Sequence, residues 1–239
     1  MKQRLDQLVY ARGLAISRSQ AENWVRLGKV KVNGEVVTKP GFFADAAAEV
    51  ELTAKEQYVN RAALKLASVA QVLKLDFKDA VMLDVGSSTG GFTDYALQHG
   101  ARKVIAVDVG TDQLHPSLRP DARIELHEQT DIRNMELLSD TPDIVVIDVS
   151  FISLREVLPH IAKLSGPRTK IVAMVKPQFE AVAASLKHKG VIKNDRMRRD
   201  ILKDFEDWAR QKFVITDKAD SDIAGSKGNV ERFYLLSAF

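Results

Sequence analysis

The stretch 81-VMLDVGSSTGGFTD-94 decides how this chain is read. Val81–Val85 is apolar except for Asp84, and it has the length of a buried strand. Gly86-Ser87-Ser88-Thr89-Gly90-Gly91 follows, and FTDYALQHG then reads as a helix. Glycines let a backbone approach a ligand closely, and the start of a helix offers free N–H groups. The loop therefore has the physics of a nucleotide site. It is not G-x-G-x-x-G, however, and a carboxylate just ahead of it would oppose a pyrophosphate.

Outward from this stretch the pattern repeats. Apolar strands are predicted at Lys103–Val107, 123–127, Ile144–Ile147 and 171–175, with helices over 62–75, Leu154–Leu164 and 197–212. FVITDKAD and ERFYLLSAF near the C-terminus read as an antiparallel edge pair. The alternation predicts an α/β domain with a mainly parallel sheet and helices on both faces. In such sheets ligands bind beyond the carboxyl ends of the strands. Asp84, Asp108, Asp131, Asp148 and Lys176 are the polar residues there. Asp108 has the place of an acid that accepts from ribose hydroxyls. Asp84 suits a sulfonium cofactor that carries an ammonium group. Together they favour S-adenosylmethionine over NAD, although a lone aspartate also serves turns and helix caps.

Lys176 leaves the apolar run of 171-IVAMVKPQFE-180, and Asp148 leaves IVVI in the same way. They could form an ion pair at the sheet's edge, or a base and its partner. Pro177 lacks an N–H and fixes φ, so it is expected to end the pairing and hold a turn. Gln178 and Glu180 could line a groove or cap that turn.

The chain has 239 residues, 45% hydrophobic and 28% charged, with no cysteine. Disulfides and cysteine-ligated zinc are excluded, and a reducing, cytoplasmic location is expected. The opening MKQRLDQLVYARG does not read as a secretory signal. No apolar run reaches the roughly 18–20 residues of a membrane helix, so no membrane partner is expected. The net charge is only +3, but residues 1–39 hold eight cations against Asp6, Glu22 and Glu35, a local +5. A basic head on a nearly neutral body points to a polyanion.

The head reads helix, helix, hairpin, strand. Leu5, Leu8 and Val9 mark the first helix, ended by Gly13. Ser17 or Ser19 caps the second, with Ala21, Trp24 and Val25 on one face and Gly28 closing it. In KVKVNGEVVTKPG, Asn33-Gly34 is a type I′ hairpin signal, with Val36-Val37 beginning the return strand. Val50 and Leu52 mark a closing strand. This pattern resembles the S-four-type RNA-binding domain. The resemblance implies RNA contacts from Arg4, Arg12, Arg18, Arg26, Lys29 and Lys31. A basic cap with no ligand is the plainer alternative, and the spacing pattern favours RNA binding over it.

LDVGSSTGGFTD, AVDVGTDQL, DIVVIDVSFISL, VKPQFE and GNVERF follow in that order behind the head. In these strings the chain resembles the TlyA family, named hemolysins but similar to FtsJ-type ribosomal RNA 2′-O-methyltransferases. The resemblance spans essentially the whole chain. It implies an S-four-type RNA-binding domain at 1–57, a small α+β unit, ahead of a Rossmann-like methyltransferase domain at 58–239. It implies methylation of a ribose 2′-hydroxyl of cytidine in ribosomal RNA or ribosomal subunits, with S-adenosylmethionine and no metal. The Lys-Asp-Lys-Glu tetrad of such enzymes falls on Lys65, Asp148, Lys176 and Glu231. Lys176 would activate the hydroxyl, Asp148 and Glu231 would orient Lys176, and Lys65 would complete the charge network. Asp84, Gly86, Ser87, Ser88, Thr89, Gly90, Gly91, Phe92, Asp108 and Asp131 would hold the cofactor, Asp131 at the adenine amino group.

Three positions depart from the family. Asn60-Arg61-Ala62-Ala63 replaces a glycine-bearing stretch, which predicts a stiffer connection. Asp112 stands where glycine is usual, and would alter cofactor affinity. Asp131 stands where asparagine is usual. Two other functions are weighed: a lytic protein, opposed by the missing span and signal, and an RNA-binding protein with an inactive methyltransferase fold. The stretch at 181–195, with Lys187, Lys189 and Lys193, reads as a loop over the substrate or a solvated one.

Overall fold

The computed structural model describes residues 2–15, 18–26, 28–53, 58–183, 190–192, 194–223, 225 and 228–239. They fall into two compact units that divide between Arg61 and Ala62.

The first unit runs β1 (Lys2–Arg4), α1 (Leu5–Ala11), α2 (Arg18–Arg26), β2 (Val30–Val32), β3 (Glu35–Val36), β4 (Phe43–Asp45) and β5 (Val50–Leu52). Leu5, Leu8 and Val9 of α1 and Ala21, Trp24 and Val25 of α2 are buried, as their spacing predicts. Asn33 and Gly34 both have positive φ, 51° and 83°, which a type I′ turn demands. The return strand starts one residue early, at Glu35, and β5 pairs with the other edge of β2. Ser19 lies inside α2 and so is not its cap; Ser17 lies outside the described residues. The β1–β4 pair was not anticipated. Lys2-Gln3-Arg4 contains no apolar residue, so no alternation marks it as a strand.

The second unit begins with α3 (Ala62–Ala70), β6 (Val81–Val85), α4 (Gly91–Gln98), β7 (Lys103–Val107), β8 (Ile124–His127) and β9 (Ile144–Ile147). It continues with α5 (Leu154–Leu164), β10 (Lys170–Val175), α6 (Pro177–Ala183), α7 (Asp195–Ala209), β11 (Phe213–Asp220) and β12 (Arg232–Ala238). The seven strands lie in the order β11-β12-β10-β9-β6-β7-β8. β12 is antiparallel to both neighbours, and the ladders from β10 to β8 are parallel. The expected edge pair is therefore split in role: β11 is the edge, and β12 is an interior strand. α3 stops at Ala70, short of residue 75, because the chain turns at Lys74 with φ of 50°.

One face of the sheet presents Val81, Leu83, Val85, Val145 and Ile147 to α5 and α7. On α5, Leu154, Val157, Leu158, Ile161 and Leu164 recur at helical spacing and bury against that face. Each such side chain contributes roughly 1.5–3 kcal/mol. α4 packs against β6 and β7. The mainly parallel sheet covered on both faces is thus the observed architecture. From β6 the chain winds outward through β7 to β8, then returns to β9 and winds the other way. Open sheets bind ligands at such a reversal, just beyond the carboxyl ends of the flanking strands. Here those strands are β6 and β9.

Candidate active site

The loops after β6 and β9 touch. Gly86 has φ of 80°, and a Cβ there would come within 2.8 Å of the Asp148 carbonyl oxygen. Glycine is thus required twice over, by conformation and by the neighbouring loop. Gly90 is alike: φ of 86°, with Leu118 and Leu114 where a Cβ would go. The loop closes through Gly90 N–H donating to the Ser87 carbonyl at 2.8 Å, and α4 starts at Gly91.

Asp84 is 1% exposed. Its Oδ2 accepts from Thr93 Oγ at 2.7 Å, from the first turn of α4, while its Oδ1 is buried with no partner. Burial pushes the Asp84 carboxyl up to about 7; the nearby Asp148 and Asp108 add to the rise, and Thr93 opposes it. Ser87 Oγ is also buried without a partner. Asp108 ties two loops together, accepting from Ser88 N–H at 2.8 Å and from Gly110 N–H at 2.7 Å. A cavity of about 480 Å³ opens over these loops. Gly86, Ser88, Asp108, Asp131, Asp148 and Phe151 are among its lining.

Asp148 joins this cavity to a second group of charges. Lys176, at the end of β10, places Nζ 2.5 Å from Asp148 Oδ1 and donates to Ser150 Oγ at 2.7 Å. Val175 lies opposite Arg232 in the β10–β12 ladder, so Lys176 and Glu231 stand at facing strand ends. Glu231 pairs with Lys65 of α3 at 2.5 Å. All four residues expected at the site are therefore gathered here, but as two ion pairs. Glu231, expected to orient Lys176, is paired with Lys65, and both are buried where each needs an opposite charge.

The sequence pattern of FtsJ-like methyltransferases matches residues 58–238. The chain belongs to that family, in its TlyA branch. The S4 domain pattern matches residues 3–50. The 16S/23S rRNA (cytidine-2′-O)-methyltransferase TlyA of Mycobacterium tuberculosis is 36% identical over 238 residues, covering 98% of this chain and 89% of that protein. Hemolysin A of Brachyspira hyodysenteriae is 37% identical over 232 residues, covering 95% and 97%. A Streptococcus thermophilus protein with a hemolysin name has a solved structure with TM-score 0.73 at 39% identity, covering 99% of this chain and 88% of that one.

Within this FtsJ-like fold, eight of the ten expected cofactor residues separate into three sets; Thr89, whose carbonyl accepts from His115 N–H at 3.3 Å, and Gly91, the first residue of α4, fall outside them. Gly86, Ser88, Asp108 and Asp131 line the cavity. Asp84 and Ser87 are not in its lining but flank Val85, Gly86 and Ser88 in the chain, and each has a buried oxygen without a partner. Phe92 turns into the core against Phe233, its ring centroid 6.3 Å away, and Gly90 serves packing. Asp131 accepts from the Arg133 backbone and guanidinium, which holds its carboxyl below the usual range. Asp112 has φ of 51°, which explains a usual glycine there, and its side chain is 89% exposed. It points out to solvent rather than into the cavity, so the expected effect on cofactor affinity lacks a contact to carry it.

Sequence reasoning missed Thr93, Ser150 and Phe151. Thr93 was legible as a hydroxyl in the helix that follows Asp84 and its loop. Phe151 was not: its φ of 67° and 93% exposure are visible only in the fold. It also missed α6. Pro177 does end pairing, but as the first residue of a helix, where its missing N–H costs nothing.

In the S4 unit, Asp6 is fully buried and accepts from both Arg4 and Arg18. Burial raises its pKa, but the two guanidiniums outweigh that and hold it below the usual range. Arg12 donates to the Ala46 carbonyl, Arg26 pairs with Glu22, and Lys31 stands 3.7 Å from Glu51. Lys29 is exposed. Several expected RNA-binding cations thus also hold the unit together. Lys187, Lys189 and Lys193 lie outside the described residues. Among the described residues, no helix is long and apolar enough to cross a membrane, and no cluster of His, Asp and Glu could hold a metal.

Proposed function

We propose that this chain methylates a ribose 2′-hydroxyl of cytidine in ribosomal RNA, using S-adenosylmethionine, in the cytoplasm. The observation that carries the reading is the Lys176–Asp148–Ser150 cluster, whose Asp148 and Ser150 line the same cavity as Asp108. The family and its named relatives supply the RNA substrate class.

The residues present fit the cofactor. Asp84 offers a buried, unpartnered carboxylate oxygen for an ammonium group, Ser87 a buried, unpartnered hydroxyl, and Asp108 an acid for ribose hydroxyls. The cavity lies within the usual size range for small-molecule sites. When bound, S-adenosylmethionine supplies a methyl already activated by the sulfonium.

The protein's part is placement and proton handling. An ammonium has three donors; Asp148 and Ser150 take two of those of Lys176, leaving one for the ribose oxygen. Lys176 holds the hydroxyl in line, and the Asp148 carboxylate beside it is the base that receives the proton the hydroxyl loses. Asp148 fixes the amine, and the Lys65–Glu231 pair closes the neighbouring strand end. Phe151, exposed at the cavity rim, offers an aromatic face for a base drawn out of its stack. Residues 1–57 supply RNA affinity through Arg4, Arg12, Arg18, Arg26, Lys29 and Lys31, and residues 58–239 supply the chemistry.

The test is transfer of labelled methyl to ribosomal subunits from cells lacking this protein. A 2′-O-methyl group blocks alkaline cleavage at its own nucleotide, so the site can be mapped. Labelling at a cytidine ribose is expected. Cofactor binding without incorporation into any ribosomal substrate would overturn the proposal.

A further inference from the structure

VKPQFE ends on Glu180, a residue that neither the cavity nor the tetrad uses. It is 1% exposed, on α6, one helical turn beyond Lys176. Both of its oxygens are committed to another element. Oε2 accepts from Ser153 Oγ at 2.7 Å, and Oε1 accepts from Leu154 N–H at 2.8 Å. Arg155 Nε stands 3.4 Å from Oε2. These three residues form the N-terminus of α5, where backbone donors have no partner within the helix. Ser153 already caps that end, accepting from Arg155 N–H at 3.1 Å. Ser153 leaves the Leu154 donor unmet, and Glu180 supplies its acceptor from a separate helix, so the start of α5 is tied to α6.

Its placement gives it a consequence at the site. The segment 148–152 lies between β9 and α5, and it carries Asp148, Ser150 and Phe151. Its first end is fixed by Asp148 N–H donating to the Val85 carbonyl at 2.9 Å. Its second end is the start of α5, which Glu180 ties to α6. α6 in turn follows Lys176 without a linker, since Pro177 is its first residue. Phe151 and Phe179 add an aromatic contact between the 148–152 segment and α6, with centroids 5.2 Å apart. We propose that Glu180 is a positioning residue that holds the 148–150 segment in register with Lys176. The inference rests on Lys176 and Asp148 being the reacting pair.

Side-chain length, more than charge, sets the register. In Glu180→Gln the amide can still accept from Leu154 N–H and can donate to Ser153 Oγ. An aspartate keeps the charge but falls one methylene short. The experiment compares full-length wild type, Glu180→Asp, Glu180→Gln and Ser153→Ala for methyl transfer to ribosomal subunits, with cofactor binding and melting in parallel. Glu180→Asp is expected to lower kcat at least about tenfold, since sub-ångström misplacement is costly in an aligned site. KM for subunits and cofactor affinity should stay within about twofold. Glu180→Gln should keep most of kcat, and Ser153→Ala should lose about threefold.

Wild-type kcat in Glu180→Asp overturns the inference. So does an aspartate variant more active than the glutamine one, which would make the charge the essential feature. If Glu180→Asp fails to fold, Ser153→Ala decides: an unchanged kcat overturns the inference, and a lowered kcat with unchanged KM supports it. A wild type that transfers no methyl overturns the proposed function and the inference together. Variants that match an active wild type overturn the inference alone.

Discussion

Two lysine–carboxylate pairs stand side by side at the carboxyl end of the sheet, each 2.5 Å long. Lys176 and Asp148 are 11% and 17% exposed; Lys176 also donates to Ser150, and Asp148 and Ser150 line the cavity. Lys65 and Glu231 are 8% and 4% exposed, and Gly225 presses on Glu231 so closely that a Cβ would come within 2.8 Å of Oε1. The chemistry of the two pairs is the same, and access separates them. A pair that opens on a cavity can exchange a partner for substrate. A closed pair has repaid its desolvation only while both members remain.

That contrast can be broken most sharply at Lys176. Lys176→Ala should lower methyl transfer by about 10²–10⁴-fold, the range for loss of a positioned proton-handling group. Cofactor affinity should hold within a few-fold, measured by calorimetry. Comparable turnover in the variant would refute the role given to Lys176. Glu231→Ala should act on stability instead, costing about 3–5 kcal/mol in denaturant unfolding because Lys65 is left buried and alone. The double variant Lys65→Met/Glu231→Leu should recover much of that loss. If Lys176→Ala destabilises more than Glu231→Ala, the division between an open and a closed pair fails.

Asp84 sharpens the same contrast, since it is a buried carboxylate with one oxygen unpaired. Its folded pKa of about 7 lies above the ordinary 3.8. The native state therefore keeps a proton that the unfolded chain releases, and this stabilising contribution is lost as pH rises through about 7. An ammonium ligand needs the ionised form, so cofactor affinity should rise about tenfold between pH 6 and pH 8. Asp84→Asn should bind weakly with no such rise, and an equally steep rise in that variant would point to another group. The smallest effect belongs to the S4 unit. There Arg4 and Arg18 are tied to buried Asp6, whereas Lys29 is exposed. Lys29→Ala should lower the salt dependence of RNA binding by about one charge without affecting stability. An unchanged slope would leave Lys29 outside the RNA contact.

Most strands were legible because buried parallel strands are short apolar runs between polar turns, as in VMLDV and IVVI. Helix ends were less so. α3 stops at Ala70 although apolar spacing continues to Leu75, because a left-handed residue at Lys74 turns the chain. β1 carries no hydrophobic signal and exists only because β4 lies beside it. Asp84, Asp148 and Lys176 stood out as charges in or at the ends of apolar strands. Their hydroxyl partners did not, because Thr93 reaches Asp84 from α4 and Ser150 reaches Lys176 from the loop after β9.

The sequence by itself determined the α/β alternation, the loop after β6, the basic head, and Asp148 and Lys176 at their strand ends, whereas Lys65 and Glu231 came only with the family resemblance. The former are local: periodicity, turn chemistry and a charge next to an apolar run are all written within a few residues. Tertiary structure alone decided which lysine meets which carboxylate, that Asp112 faces solvent, and that Glu180 binds the start of α5. Pairing depends on distances across the sheet, and burial determines whether a paired charge meets water, the cavity or only its partner.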